Sequence, residues 1–387
     1  MTQHKQILSI GIQGKGSSTV SDINIIGALL KHDTDIILEP VFEDNMYIRL
    51  DLLRNRKIDL FYEDAHTVAV IECNELEMAN RSQGPLEMQI VASAHSGAVG
   101  LMVRGDSSSI RTIYDICPET RIALPTGVGN MVYGVLAWLG LFKGALPENP
   151  AEAEWNVQIV PFKSWAESLR SIALDTADVA LATPENPIVK ETAASGPGVR
   201  FLDFPVSSDP EGEARFRTYL PYGQLIPAPE HGVREIWGIT SWVGTACLWC
   251  RDDFDVELGY TITKWFDENY KRYKNKGNKL ANYSRNALRQ TLDVAMAPIH
   301  QGTVQYLKEI GLWREEDDVR MLYNKKLMDW YCTAWSEAVS QADALGIKIC
   351  SDNDDWLKLW LDYKKKIGIP RYRQMTDKEI QEAIQQQ

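Results

Sequence analysis

Apolar and polar positions along this chain alternate between two regimes. Short apolar runs suited to buried strands are followed by stretches with apolar residues three and four apart, as on one face of a helix. Ile7-Leu8-Ser9-Ile10-Gly11 leads through the loop Gln13 to Ser18 into a helical pattern carried by Ile25, Ile26, Leu29 and Leu30. Arg121-Ile122-Ala123-Leu124 leads through Thr126-Gly127-Val128-Gly129-Asn130 into a second, carried by Val132, Val135, Leu136 and Leu139. Each copy is followed by a leucine-rich helix and then an Asp that opens a strand. These are Leu50 to Leu53 before Ile58-Asp59-Leu60-Phe61, and Leu169 to Leu174 before Asp178-Val179-Ala180-Leu181. The pattern predicts strands near 7–11, 36–41, 58–62 and 97–104 with helices near 19–31, 46–55 and 67–77. A second set of strands is predicted near 121–124, 157–161, 178–182 and 199–203. The alternation is that of an α/β protein with two similar lobes.

Later segments differ. Ser207 to Glu213 reads as surface turn chemistry, Trp237 to Arg251 as β-rich, and Val256 to Tyr270 as a helix. Lys271 to Lys279 is the one basic cluster and reads as a solvated helix end. Beyond about residue 315 the chain turns to long helices bearing Trp330, Trp335, Trp356 and Trp360. A tryptophan stripe at helical spacing points to helices packed on the body, with a partner-docking face as the other reading.

Composition narrows the function classes. The chain has 387 residues and a formal net charge of −12. Nucleic-acid binding needs a basic stripe to neutralise phosphates, and none is visible. No apolar stretch is long enough for a membrane span. The start, Met1 to Gln6, runs almost directly into a strand with no leader-like segment before it, which leaves both a cytoplasmic and a processed extracytoplasmic protein open. Six cysteines are scattered, and Cys247-Leu248-Trp249-Cys250 has redox or zinc spacing. It lies in an apolar run that reads as a strand, with no second pair at ligand spacing. Buried, unpaired thiols and no metal are expected.

Glycine-rich loops let backbone N–H groups approach a ligand, and the helix N-terminus that follows favours an anion. Lys15, Ser17 and Ser18 lie on the first such loop, where Lys15 either adds a charge for a carboxylate or is simply solvated. Asn45 enters the 46–55 helix as a ligand contact, a cap, or both. Tyr62 and Asp64 follow a strand end, where open α/β sheets bind ligands; a Glu63-Asp64 pair suits an amine, hydroxyl or cation. Thr126, Gly127, Gly129 and Asn130 combine a strand end, two glycines and a helix start, and Thr183 and Asn186 occupy the loop after the third strand of the second lobe. Tyr133, Tyr222 and Trp237 suit an aromatic wall or packing. Gly14-Lys15-Gly16 lacks the hydroxyl residue a P-loop places after lysine, no loop completes GxGxxG, and neither GxSxG nor HExxH occurs. No cofactor and no catalytic residue is expected.

One segment is more specific. Ala297-Pro298-Ile299-His300-Gln301-Gly302-Thr303-Val304-Gln305-Tyr306-Leu307-Lys308-Glu309-Ile310-Gly311 resembles the C-terminal signature of the TAXI family, the solute receptors of tripartite ATP-independent periplasmic (TRAP) transporters. Glu257 to Lys264, Gly11 to Thr19, Leu53 to Leu60 and Thr126 to Gly129 are similar to further elements of that family. The resemblance implies a two-lobed type II periplasmic-binding-protein fold: residues 1–104 plus 235–313 in lobe 1, 105–234 in lobe 2, and a helical C-terminal extension, 314–387, packed on the body. It implies an extracytoplasmic solute-binding protein, expected to be a monomer and not membrane-spanning. It would close over a small-molecule carboxylate (an amino acid or 2-oxo acid) in an interlobe cleft and present it to TRAP-type membrane subunits. His300 belongs to the signature as a contact or as a structural hydrogen-bonder. Where the family often has a small Gly-Ser pair, this chain has Phe42-Glu43-Asp44-Asn45, and the lysine at 15 and the long tail also depart from it. An intracellular enzyme such as a decarboxylase, or a ligand sensor using the tryptophan-rich tail, are the alternative readings on the same fold.

Overall fold

Leu8, Ile10 and Ile12 alternate inward along the first strand, and that period of two sets the core of the first half of the protein. The structure, a computed structural model, describes residues 5–13, 18–43, 45–64, 79–125, 129–147, 150, 153–220, 223–277, 279–370 and 374–385. The predicted helix at 67–77 lies outside them. The fold is mixed α/β, as the alternation predicts, and it divides into two compact units, 1–96 with 245–387 and 97–244.

In the first unit, β1 (Gln6–Ile12), α1 (Ser18–Asp33), β2 (Ile36–Phe42), α2 (Met46–Arg54) and β3 (Leu60–Asp64) follow one another. β1 runs parallel to both β2 and β3, with Ile12 opposite Phe42 and Gly11 opposite Phe61. The carboxyl ends of all three strands therefore share one edge. The long strand β4 (Met88–Arg104) carries the chain into the second unit.

The second unit repeats the plan. β5 (Arg121–Pro125), α3 (Gly129–Trp138), a small hairpin of β6 (Phe142–Lys143) and β7 (Glu154–Trp155), β8 (Gln158–Phe162), α4 (Trp165–Ala173) and β9 (Ala180–Ala182) occur in that order. β5 is parallel to β8, and a parallel bridge joins Ile122 to Val179 just before β9. Next come α5 (Pro187–Ala194), β10 (Val199–Leu202), α6 (Pro210–Phe216), β11 (Gln224–Pro227) and β12 (Thr240–Arg251). α6 corrects the turn expected at 207–213: Asp209 caps it, accepting from Gly212 N–H at 2.7 Å, and Pro210 sits at its start, where a missing N–H costs nothing.

The repeat extends to individual hydrogen bonds. After α2, the N–H groups of Arg56, Lys57 and Ile58 bond to Leu53, Leu52 and Leu52. After α4, those of Asp175, Thr176 and Ala177 bond to Ile172, Ser171 and Ser171. Arg56 and Asp175 both take left-handed backbone, at φ 56° and 55°. Three residues on, Asp59 accepts from Ser9 N–H at 2.8 Å and Asp178 from Arg121 N–H at 2.7 Å, each tying the third strand of its motif to the first.

Back in the first unit, β12 runs antiparallel to β3 with Ala246 opposite Asp64. α7 (Val256–Glu268), α8 (Tyr270–Tyr273), α9 (Arg285–Asp293), α10 (Gln301–Glu309), α11 (Glu315–Ala344), α12 (Asp354–Ile367) and α13 (Asp377–Gln385) complete it. Ile23, Ile26 and Leu30 of α1 meet Ile262, Trp265 and Phe266 of α7 over the strands in one apolar cluster. Cys247 and Cys250 are buried on β12 and form no disulfide, and burial pushes the Cys250 thiol well up from its usual range.

The 298–311 segment is a packing device. Ile299 bridges Ile90 of β4, and the His300 ring is buried with Nε2 3.0 Å from Phe254 O. The Thr303 hydroxyl donates to Val91 O at 2.8 Å and lies 2.8 Å from that of Thr263. Gly302 lets α10 press onto α7: a Cβ there would stand 2.1 Å from Val256 O. Of the two roles open for His300, the structure shows the structural one. The tail is equally integral. Trp335, Trp356 and Trp360 are buried against each other at ring separations of 5.1, 5.3 and 6.5 Å, and Trp356 Nε1 donates to Ala79 O at 2.6 Å. Trp330 alone of the four stands exposed.

Candidate functional site

Within each unit, strand carboxyl ends feed helix starts through short loops. In the first unit β1 leads to α1 and β2 to α2; in the second β5 leads to α3, β8 to α4 and β9 to α5. This arrangement turns unsatisfied helix N–H groups, and the positive end of the helix dipole, toward the strand edge. The sequence-predicted residues fall on these edges, though the tips of the two glycine loops, with Lys15, Ser17, Thr126 and Gly127, lie outside the described residues. Ser18 opens α1, and Gly129 and Asn130 open α3.

At the first unit's edge, Asn45 is exposed; its N–H donates to Glu43 Oε1 at 2.9 Å and its carbonyl accepts from Arg49 N–H at 3.1 Å, the first bond of α2. Tyr62 is half-buried and packs, like Tyr283, on the apolar cluster. Asp64 ends β3. Period-two alternation separates Leu60 and Tyr62 on that face from Phe61 and Glu63 on the other.

On the Phe61–Glu63 face lies a residue that sequence reasoning missed. Arg49 is fully buried: its guanidinium sits 5.5 Å from the Phe61 ring, donates to Glu43 O at 2.5 Å and pairs with the Glu63 carboxylate. The signal was available, since Arg49 interrupts the inward stripe formed with Leu50 and Leu53 in an otherwise apolar helix face. Trp249 Nε1 donates to Glu63 O at 3.0 Å, fixing the end of β3 from the neighbouring strand.

At the second unit's edge the caps are explicit. Ser164 Oγ accepts from Glu167 N–H at 3.2 Å, and Glu167 Oε2 accepts in return from Lys163 N–H at 3.1 Å. Asn186 caps α5, its side-chain oxygen accepting from Ile188 N–H at 2.9 Å, while its own N–H donates to Thr183 O at 3.1 Å. Thr183 and Asn186 are thus brought together in one turn. Tyr133 stacks on Trp155 with centroids 5.3 Å apart, and Trp237 packs on the second unit's core with Nε1 on His231 O. These two belong to packing within the unit; Tyr222 lies outside the described residues. Among the described residues no cluster of His, Cys, Asp and Glu could hold a metal ion, and no helix is long and apolar enough to cross a membrane.

A family model described as the NMT1-like family matches residues 165–311, from α4 to the end of α10. No curated protein matches the chain. Solved structures similar to it include the methionine-binding protein MetQ, 12% identical over 70% of this chain and 94% of that one at a TM-score of 0.40. The periplasmic aliphatic sulphonate-binding protein SsuA from Escherichia coli is 12% identical over 98% and 85%, at 0.38. Lipoprotein Tp32 from Treponema pallidum is 15% identical over 56% and 91%, at 0.35.

Proposed function

We propose that this chain is a non-enzymatic solute-binding protein that takes one small organic anion, an amino acid, 2-oxo acid or related carboxylate, at its strand-carboxyl edges. The observation that carries the reading is the repeat: two units built on one β-α-β-α-β plan, each presenting helix N-termini at that edge. Such an edge offers N–H donors and a favourable dipole to a carboxylate without needing a basic surface, which suits a chain of net charge −12. The match to the NMT1-like family covers the 297–311 segment that resembles the TAXI signature and supports the same reading. In its finer form the protein is an extracytoplasmic receptor of the TAXI type, working with TRAP-type membrane subunits. Lys15, Ser17, Ser18, Asn45, Asp64, Thr126, Gly127, Gly129, Asn130 and Thr183 are the proposed contacts. Tyr62 and Asn186 act from behind them, one through the core and one as a cap.

A thermal-shift screen against amino acids, dicarboxylates, 2-oxo acids and aromatic acids tests this. A ligand at about a hundred times its Kd stabilises the folded state by ~2.7 kcal/mol, a shift of a few degrees. Recovery of the hit unchanged, and its weakening by a combined Thr126→Ala and Asn130→Ala change, are the expected results. Turnover of the bound carboxylate would replace the receptor by an enzyme.

A further inference from the structure

The repeat allows the two motifs to be compared residue by residue. The shared bonds after α2 and α4, and the shared Asp59 and Asp178, place Leu50 opposite Leu169, Leu53 opposite Ile172 and Ile58 opposite Ala177, all of them buried. In the same register Arg49 stands opposite Ser168, and Glu63 opposite Ala182. The second unit therefore closes its motif with two small residues where the first places a buried ion pair. A buried pair gives little net stability compared with apolar packing, because both charges lose their water. Folding of the motif does not require it.

What the pair does is local. Arg49 Nη1 reaches Glu43 O in the β2–α2 loop, and Glu43 Oε1 in turn accepts from Asn45 N–H at 2.9 Å. Arg49 Nη2 reaches Glu63, whose carbonyl is held by Trp249. One planar guanidinium thus joins the loop that carries Asn45 to the end of the strand that carries Asp64. A lysine carries its three donors on one nitrogen at the end of a flexible stem and lacks the planar fork whose separate nitrogens reach both acceptors.

We infer that Arg49 is a positioning residue, clamping the β2–α2 loop to the end of β3 so that the first unit's binding edge is ordered before a ligand arrives. The pairing also neutralises Glu63, so this edge selects for an anionic or zwitterionic carboxylate and not for a lone amine docking on Glu63. The ligand part of this inference rests on the solute-binding reading; the clamp itself does not.

Amide hydrogen exchange on the intact protein tests the clamp. Arg49→Lys speeds exchange at Asn45 to Arg49 about tenfold while the amides of α10 keep their wild-type rates. Arg49→Ser with Glu63→Ala, the pair found in the second unit, has the same local effect. Should these variants fail to fold, Glu63→Gln, which keeps an acceptor for Arg49, speeds the same amides by about threefold. Wild-type rates at 45–49 in a folded variant overturn the proposal, as does acceleration spread evenly over the whole unit. Thermal shifts with L-glutamate and pyruvate are read in parallel. If neither these nor the wider panel shift the wild type, the solute-binding reading fails while the exchange rates still decide the clamp. If the wild type is stabilised and Arg49→Lys binds equally well, the clamp has no part in recognition and the ligand part of the proposal fails while the solute-binding reading stands.

Discussion

Asp59 accepts two hydrogen bonds from Ser9 on one carboxylate oxygen, from the backbone N–H and from the hydroxyl, both at 2.8 Å. Asp59 N–H returns a bond to Ser9 O at 3.0 Å, so the parallel pairing of β1 and β3 begins on this contact. The pairing sets the register that brings Ile12 and Asp64 to one edge. Asp59→Ala leaves a half-buried N–H and hydroxyl without their acceptor, a loss of about 1–3 kcal/mol in denaturant unfolding. Ser9→Ala removes only the hydroxyl and costs less, about 0.5–1.5 kcal/mol. Equal losses in the two variants would show that the backbone contact contributes nothing.

Asp178 plays the same part in the second unit and gives it a pH dependence. Burial acts to raise its carboxyl pKa, but the hydrogen bonds from the Arg121 side chain and N–H outweigh that and hold it below the usual carboxylate range. A depressed folded pKa means the unfolded chain binds the proton more readily. The stability it contributes is therefore present above the unfolded value of about 3.9 and is lost as pH falls through the lower folded one. Asp178→Asn should flatten the acid limb of the stability-pH curve below about pH 4 relative to wild type. An unchanged acid limb would assign acid sensitivity to other carboxylates.

How far these features could be read from sequence follows from their physics. The repeat was legible because its parts are local: a strand period, a glycine loop, a leucine-rich helix face and an Asp at fixed spacing. The 298–311 segment stood out by a family resemblance, yet its packing role did not follow from that, because Gly302 of α10 and Gly259 of α7 act by absence of a side chain, making room for Val256 O and for the His300 ring. Arg49 could be picked out by its place on an apolar helix face but not by its role, because its partners Glu43 and Glu63 are 6 and 14 residues away and meet it only in the folded sheet. The start of β4 at Met88 was missed too. Its pairing is non-local, and its inward residues Val91, Ala92 and Ala94 include two alanines, which carry little strand signal. α6 could have been found, since Asp209 followed by Pro210 is a helix-start pair.

Gly302 makes a steric prediction, with Gly27 as its control. At Gly302 a Cβ would meet backbone, Val256 O at 2.1 Å and Tyr260 N at 2.4 Å, and backbone cannot rotate away. Gly302→Ala should force α10 off α7 and cost about 1–3 kcal/mol or more. Gly27, in the middle of α1, has Leu38 Cβ at 3.6 Å, an ordinary contact. There Gly→Ala should be neutral or stabilise by about 0.4–1 kcal/mol through the unfolded chain. Thermal unfolding of both variants checks the pair; a tolerated Gly302→Ala would mean the helices separate freely.

The last prediction concerns the tail. Asp317 is buried at the start of α11, where it accepts two bonds from Arg289, both at 2.7 Å, and one from Arg320 at 3.0 Å. Arg289 also donates to Leu312 O at 2.6 Å, so the ion pairs fasten α11 to α9. Further along, the amide of Asn324 donates to Ala295 O at 2.9 Å, and a Cβ on Gly84 would lie 2.1 Å from Trp335 Nε1. These contacts make 315–387 part of the first unit's core and not a detachable docking arm. Asp317→Ala leaves the buried guanidinium groups of Arg289 and Arg320 with only the partly exposed Asp293 as counter-ion and should cost about 1–3 kcal/mol. Removal of residues 315–387 uncovers Ala79 and Met88, both fully buried in the intact chain, so the truncated protein should lose cooperative thermal unfolding. A truncated chain that unfolds at the wild-type midpoint would instead make the tail an independent module, and would return Trp335 and Trp356 to the role of a partner surface.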